Sequence, residues 1–117
     1  MRNVNKVIVL GNVTDDPAIR ASTTGSTCAN FTVATNRTWT STTGEKKEET
    51  EFHRCVAWGK LGDLCQQFLH KGSLVYIEGF LKTNKWKDTS GNDRQATEIR
   101  VDEMISLSPK NGGSPTI

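Results

Sequence analysis

The sequence of 117 residues lacks the features of several large protein classes. Its cysteines number three, Cys28, Cys55 and Cys65, and have no Cys-x-x-Cys spacing, which indicates neither a disulfide framework nor a zinc site. No apolar run approaches the roughly 20 residues that span a bilayer. The polar N-terminus up to Lys6 has no apolar segment and cleavage site of an export signal. We therefore expect a cytoplasmic protein that is not bound to a membrane.

Enzyme signatures are missing as well. The sequence contains no Gly-x-Gly-x-x-Gly, phosphate loop, His-Glu-x-x-His or Gly-x-Ser-x-Gly, the motifs of several nucleotide-binding and hydrolytic enzymes. The two histidines, His53 and His70, have no catalytic or metal-ligand spacing. We expect no enzymatic activity, no cofactor and no metal.

The net charge of +2 is too small to identify a partner, but the charges are unevenly distributed. Acidic residues gather at Glu45, Glu48, Glu49 and Glu51, whereas Lys82, Lys85 and Lys87 surround a tryptophan. Local fields of opposite sign are therefore expected on one small domain.

The hydrophobic pattern predicts five strands and one helix. Strands are expected at residues 4–13, 28–39, 50–58, 74–87 and 95–107, with a flexible loop at 40–49. Between 60 and 69 the apolar residues instead follow a helical period, at Leu61, Leu64, Cys65, Phe68 and Leu69. A short helix between strands three and four is the order of an OB-fold, an all-β, five-stranded Greek-key barrel. Residues 1–107 form this expected domain, and residues 108–117 have the composition of a flexible linker or tail.

The segment from Phe52 to Trp58 is the most informative. Because side chains alternate along a strand, Phe52, Arg54, Val56 and Trp58 share one side, and His53, Cys55 and Ala57 share the other. The set with the smaller side chains suits a barrel interior, and the two aromatic rings and the guanidinium of the other set then lie outside. Nucleobases would cover such a surface. A protein interface would cover it equally well.

Two further tryptophans favour nucleobases. Trp39 follows Arg37 at a predicted strand end, and Trp86 lies between Lys85 and Lys87. A core tryptophan normally lies in an apolar run. Base stacking combined with phosphate neutralisation explains three tryptophans near cations better than packing does.

Segments along nearly the whole domain carry a family resemblance. The sequence resembles the bacterial single-stranded DNA-binding proteins in Val4–Asn12, Asp16–Pro17, Ala29–Asn36, Gly44–Lys46, Thr50–Arg54, Trp58–Leu61, Lys71–Ser73, Val75–Gly79 and Lys85–Trp86. The resemblance implies base stacking on Trp39, Phe52, Trp58 and Trp86. At Phe52 and Trp58 the family's commoner residues, tryptophan and phenylalanine, are exchanged. Candidates for contacts to the DNA backbone, by resemblance and by position, are Lys6, Arg37, Arg54, Lys60, Lys71, Lys82, Lys85 and Lys87.

The resemblance also implies an assembly and a role. Such proteins are typically homotetramers, and the matching interface positions are His53, Val75, Tyr76, Ile77 and Glu78. They coat single-stranded DNA without regard to sequence during replication, recombination and repair, at the nucleoid. They usually end in an acidic tail that recruits replication and repair proteins, but Ser114–Ile117 contains no acid. Partner recruitment therefore stays open.

Two rival functions remain. A primosome-type adaptor, a related OB-fold dimer that contacts helicase machinery, would bind DNA weakly and have fewer stacking aromatics. A nuclease or other enzyme would need clustered carboxylates or metal ligands. The mass of the protein in solution separates the dimeric adaptor from a tetrameric coating protein. A metal-dependent cleavage assay tests the second rival.

Overall fold

Six strands and one helix make up residues 2–108, the part of the chain that the computed structural model describes. In chain order they are β1 (Val7–Val13), β2 (Ala18–Ala21), β3 (Thr27–Thr40), β4 (Lys46–Trp58), α1 (Lys60–Phe68), β5 (Leu74–Lys87) and β6 (Asp93–Ser106). The tail expected from residue 108 onward lies, apart from Ser108, outside the described residues. Among residues 2–108, no helix has the length and apolar character needed to cross a membrane.

The strands form a closed barrel. They lie in one sheet in the order β1-β5-β6-β4-β3-β2. Asn12 and Val13 at the end of β1 also pair with Ala34 and Val33 of β3, so that β1 and β3–β6 close on themselves. The expected five-stranded barrel with one short helix is thereby confirmed. Because the short β2 precedes β3, the helix lies between the fourth and fifth strands of the chain.

Some predicted boundaries were wrong. Residues 40–49 do not form a long loop, since β4 begins at Lys46 and its first residues pair with the end of β3. This part of the hairpin has only exposed side chains. It is held by backbone hydrogen bonds, so its sequence shows no alternation of apolar and polar residues. Strand β2 was missed because four residues are too few to show a period. Strand β1 begins at Val7 rather than at residue 4.

The barrel interior is built from alternate strand residues. Val33, Val75 and Ile77 have no exposed surface, as expected for inward positions of a half-buried sheet. Helix α1 adds Cys65 to the same cluster, and Leu69, which follows the helix, also joins it. The predicted helix face was too wide, because Leu64 and Phe68 remain 37% and 45% exposed.

Three turns share one hydrogen-bonding pattern, at residues 22–26, 41–45 and 88–92. In each, the carbonyl of the first residue accepts the N–H of a glycine three positions on, at 3.0 Å. The side chain of the first residue also accepts the N–H of the fifth. The glycines, Gly25, Gly44 and Gly91, have φ between 84° and 86°, a region that other residues rarely adopt. These turns let the long strands pair up to their ends.

A bulge divides β5 into two parts. The register with β6 shifts between Glu78 and Gly79. A Cβ at Gly79 would overlap the backbone carbonyl oxygen of Arg100, so the two strands approach closely because residue 79 has no side chain. Before the bulge β5 belongs to the barrel, and after it β5 continues into a hairpin arm with β6.

Candidate nucleic-acid interface

The outer side of β4 presents two aromatic rings to solvent. Phe52 is 64% exposed and Trp58 is 46% exposed. Arg54 between them is also exposed, whereas Cys55 and Ala57 point into the core. Val56 faces the same side as the aromatics but is covered. An exposed apolar surface of this kind is costly unless a ligand or partner covers it.

Arg100 joins this surface from a strand that is distant in sequence. Strands β4 and β6 pair in parallel, with Val56 opposite Arg100. The Arg100 guanidinium carbon lies 5.7 Å from the centroid of the Trp58 ring, within the range of a cation–π contact. Sequence reasoning missed Arg100 because only this long-range pairing brings it to Trp58. We call Phe52, Arg54, Trp58 and Arg100 the aromatic face.

A shallow groove runs beside Trp58. Besides Arg100, its polar lining comes from Ser22 and from four residues of β2, β3, β5 and β6, namely Arg20, Asn30, Asn84 and Glu98. The Asn84 amide donates to Glu98 Oε1, and Glu98 Oε2 lies 3.5 Å from Arg100 Nε. None of these polar residues was among the predicted site residues. The groove therefore combines a stacking ring with both hydrogen-bond donors and acceptors.

The β5–β6 arm carries the third aromatic. Trp86 is 49% exposed and lies opposite Arg94. Phe80 lies opposite Arg100, which in turn lies opposite Val56 on the side of the sheet that carries Trp58. Trp86 is an even number of residues from Phe80, so it projects from that same side. Lys82 shares that side, whereas Lys85 and Lys87 project from the other.

Asp88 fixes the end of this arm. Its Oδ1 accepts the N–H groups of Ser90 and Asn92 at 2.9 Å, and Oδ2 accepts from Arg94 Nε at 2.9 Å. The hydrogen bond from the Asn92 backbone, together with that from Arg94, lowers the pKa of Asp88. An ionised Asp88 thus holds the turn next to Trp86.

Trp39 lies apart from the other three aromatics. It is opposite Lys47 in the β3–β4 ladder, whereas Phe52 is opposite Ala34. Because positions 34 and 39 differ by an odd number, Trp39 projects from the other side of this hairpin. Its ring is 38% exposed, and the Arg37 guanidinium carbon lies 5.0 Å from its centroid. The structure therefore groups Phe52, Trp58 and Trp86 on one side and places Trp39 with Arg37 on the other.

The remaining cationic candidates lie outside the Trp58 groove. Lys60 begins α1, two residues after Trp58, and Lys71 is exposed after the helix. Lys6 forms an ion pair with Glu78 at 2.8 Å. Hydrogen bonding within this pair raises the pKa of Lys6 and lowers that of Glu78. Lys6 is thus already neutralised within the chain.

A second exposed apolar surface lies on the outer side of β1, β5 and β6. Ile8, Leu10 and Ile105 are 60%, 47% and 52% exposed. Leu10 and Ile105 both lie opposite Tyr76. We call Ile8, Leu10, Tyr76 and Ile105 the aliphatic face. Beside it, Lys6 forms an ion pair with Glu78, which lies opposite Ile8.

The structure separates the expected interface residues. Tyr76 and Glu78 project outward beside the aliphatic face. Val75 and Ile77 have no exposed surface and pack inside the barrel, so their expected place at a subunit contact stays a prediction about the strand that carries them. His53 is half-buried on the inner side of β4, with Nε2 2.9 Å from Thr35 Oγ1.

The cysteines are buried, and no metal cluster is present among residues 2–108. Burial raises the pKa of Cys55 to about 12 and that of Cys65 to about 11. Neither thiol has the exposed, cation-rich surroundings of a reactive cysteine.

Comparison with known proteins decides the family. A model of the single-strand binding protein family matches residues 4–107. The chain belongs to this family. It is also similar to a solved structure described as a Plasmodium falciparum SSB complex with ssDNA, with 33% sequence identity and a TM-score of 0.86. That match covers 92% of this chain and 98% of the other. The family resemblance and the OB-fold expected from the sequence are thereby confirmed.

Proposed function

We propose that this single-strand binding family member coats single-stranded DNA by stacking bases on Trp39, Phe52, Trp58 and Trp86. The observation that carries this proposal is the pairing of exposed rings with guanidinium groups, Trp58 with Arg100 and Trp39 with Arg37. Every base offers a π-face, so such a surface binds DNA without requiring a particular sequence. The described SSB–ssDNA complex of a similar protein supports the same ligand.

Two terms supply the affinity. Stacking contributes roughly 1–3 kcal/mol per base. Cations that neutralise phosphates release counterions, which makes the affinity fall with salt. Arg54 on the aromatic face and Lys82, Lys85 and Lys87 on the β5–β6 arm are the proposed phosphate contacts.

Tryptophan fluorescence tests the proposal directly. Titration with a single-stranded oligomer should quench the three tryptophans, and the apparent affinity should fall as salt is raised. A duplex of the same sequence is the control and should quench far less, because its bases are already stacked. Equal quenching by duplex and single strand would contradict stacking.

We assign the chain a binding role in replication, recombination and repair, at the nucleoid. These processes expose single strands, and a protein that covers bases and phosphates protects them. No catalytic step is proposed. Recruitment of other replication and repair proteins through the tail is not proposed, because residues 109–117 lie outside the described part of the chain.

We further propose that copies of this chain cover the aliphatic face and form a homotetramer. The face is apolar, and the neighbouring Lys6 is paired with Glu78 rather than free to meet a phosphate. Within the described residues, Val7–Gly11 pair only with β5, so one edge of this strand is open. An open strand edge beside an apolar surface favours pairing with another chain. Sedimentation should give four chains per particle, whereas a dimer that binds DNA weakly would favour the adaptor.

A further inference from the structure

The two arginines of the aromatic face differ in their surroundings. Arg54 is exposed and belongs to none of the ion pairs within residues 2–108. The Arg100 side chain is only 30% exposed, and its Nε lies 3.5 Å from Glu98 Oε2. The negative charge of Glu98 offsets that of the guanidinium and repels phosphates at the same place. Arg100 is therefore less suited than Arg54 to contact the DNA backbone.

Glu98 is itself held in place. Its side chain is 11% exposed and lines the groove beside Trp58. Oε1 accepts a hydrogen bond from the Asn84 amide on the neighbouring strand β5. Oε2 attracts Arg100 Nε by charge, although Nε has no hydrogen-bond partner among the described residues. Because removal of a carboxylate from water is costly unless an opposite charge accompanies it, the two ions stabilise each other's position.

Arg100 in turn contacts the Trp58 ring. It lies opposite Val56, two residues before Trp58, so both side chains project from the same side of the sheet. The guanidinium carbon is 5.7 Å from the centroid of the ring, and 46% of Trp58 stays exposed. A planar guanidinium stacks on an aromatic face, which an ammonium does not do. The ring is thus supported from one direction and open to a ligand from another.

A supported ring binds a base at a lower entropic cost. An exposed side chain loses rotamer freedom when a ligand immobilises it, and this loss weakens binding. Contact with Arg100 restricts Trp58 before DNA arrives, so less freedom remains to be lost in the complex.

We propose that Arg100 is a positioning residue for base stacking, with Glu98 holding its guanidinium against Trp58 and the guanidinium restraining the ring. The inference rests on the proposed function, because it needs a base on Trp58. It gives the two arginines different tasks, phosphate contact for Arg54 and support of the ring for Arg100. It favours no base over another.

A chain in which Trp58 is the sole tryptophan reports on the ring. The substitutions Trp39→Phe and Trp86→Phe create this parent chain and keep a ring at both positions. Time-resolved fluorescence anisotropy without DNA then measures the local motion of Trp58, and circular dichroism checks that each variant is folded.

Three variants of this parent chain separate support from charge. Glu98→Gln keeps the size of the side chain and removes the charge that holds the guanidinium. Glu98→Gln combined with Arg100→Met removes the guanidinium without a change in net charge. Arg54→Met is the matched control, because it removes a guanidinium from the same face. Local motion of Trp58 should become faster in the first two variants and stay unchanged in the control.

Titration with a dT oligomer at several salt concentrations gives the second readout. The double variant should bind about two- to fivefold more weakly at every concentration, the effect of one lost cation–π contact. Its slope of log affinity against log salt should stay that of the parent chain. Arg54→Met should reduce this slope by about 1, since a phosphate contact is lost.

Two results would overturn the inference while DNA binding itself stands. A slope reduced by about 1 in the double variant would make Arg100 a phosphate contact. Unchanged motion of Trp58 in both Glu98 variants would show that the ring does not depend on this pair. Failure of the unaltered chain to bind the dT oligomer would instead contradict the proposed function.

Discussion

The aromatic face and the aliphatic face are two exposed apolar surfaces of one barrel, and they differ in what accompanies the apolar groups. On the aromatic face, Arg54 lies between two rings and Arg100 stacks on one of them. On the aliphatic face, the nearby Lys6 is bound to Glu78. One surface therefore presents positive charge with flat rings, and the other presents branched side chains and Tyr76 beside a paired lysine.

This difference suits two ligands, with single-stranded DNA proposed for the aromatic face and a second copy of the chain proposed for the aliphatic face. From the sequence of β4 alone, nucleobases and a protein partner explained the exposed aromatics equally well. The structure has a second exposed apolar surface at Ile8, Leu10 and Ile105, which is where we propose that a second copy of the chain binds. The bulge at Gly79 lies between the two regions on β5.

The largest effect is expected from removing three stacking rings. Combined Trp39→Ala, Trp58→Ala and Trp86→Ala substitutions should weaken binding of a dT oligomer by about a hundredfold or more, since each stacked base contributes roughly 1–3 kcal/mol. Fluorescence anisotropy of a labelled oligomer measures this loss after the tryptophans are gone. The mass of the protein assembly should not change. Unaltered affinity would refute the stacking assignment.

A methyl group at the bulge should destabilise the whole domain. Gly79→Ala places a Cβ against the Arg100 carbonyl oxygen, and relief of this overlap requires the two strands to move apart. We expect the free energy of unfolding to fall by about 2–3 kcal/mol. Urea denaturation checks this value. Gln95→Ala, at an exposed position of β6, is the control, and an equal effect there would show that close strand contact is unimportant.

A charge on the aliphatic face should separate the subunits. Leu10→Asp places a carboxylate on the surface proposed to be covered, where burial of an unpaired charge is costly. Sedimentation should show smaller particles, with each chain still quenched by DNA. Leu81→Asp is the matched control, because Leu81 is 49% exposed and lies beyond the bulge. If Leu10→Asp keeps the full mass, the interface lies elsewhere.

The smallest effect concerns single lysines. Lys85 belongs to none of the ion pairs among the described residues, so Lys85→Ala should reduce the slope of log affinity against log salt by about 1. Lys6→Ala should leave the slope unchanged, because Glu78 already neutralises Lys6. Titrations at several salt concentrations measure both slopes. A larger change for Lys6 would place DNA on the aliphatic side.

The hydrophobic pattern predicted the barrel strands well wherever a strand has one buried face and one exposed face. Strand β5 was predicted with its observed bounds, and α1 within one residue of its end. The start of β4 was not predictable because Lys46–Glu49 are all exposed. Their strand conformation depends on pairing with β3 and on the turn at residues 41–45, neither of which has an apolar period.

The site was predictable only in part. Clusters of aromatic and cationic residues identified Phe52, Trp58 and Trp86, which the structure places on one side of the sheet. The same reasoning could not show that Trp39 faces the other side, because this depends on the register of β3 with β4. Nor could it find Arg100 and Glu98, which reach Trp58 through the parallel pairing of β4 with β6.

Oxidative footprinting with and without a single-stranded oligomer tests the separation of the two faces most directly. Hydroxyl radicals modify exposed side chains, and mass spectrometry locates the modified residues. We predict that DNA protects Phe52, Trp58 and Trp86 and leaves the modification of Ile8, Leu10 and Ile105 unchanged. Protection of Ile8, Leu10 and Ile105 by DNA, with the three aromatics still modified, would contradict the account.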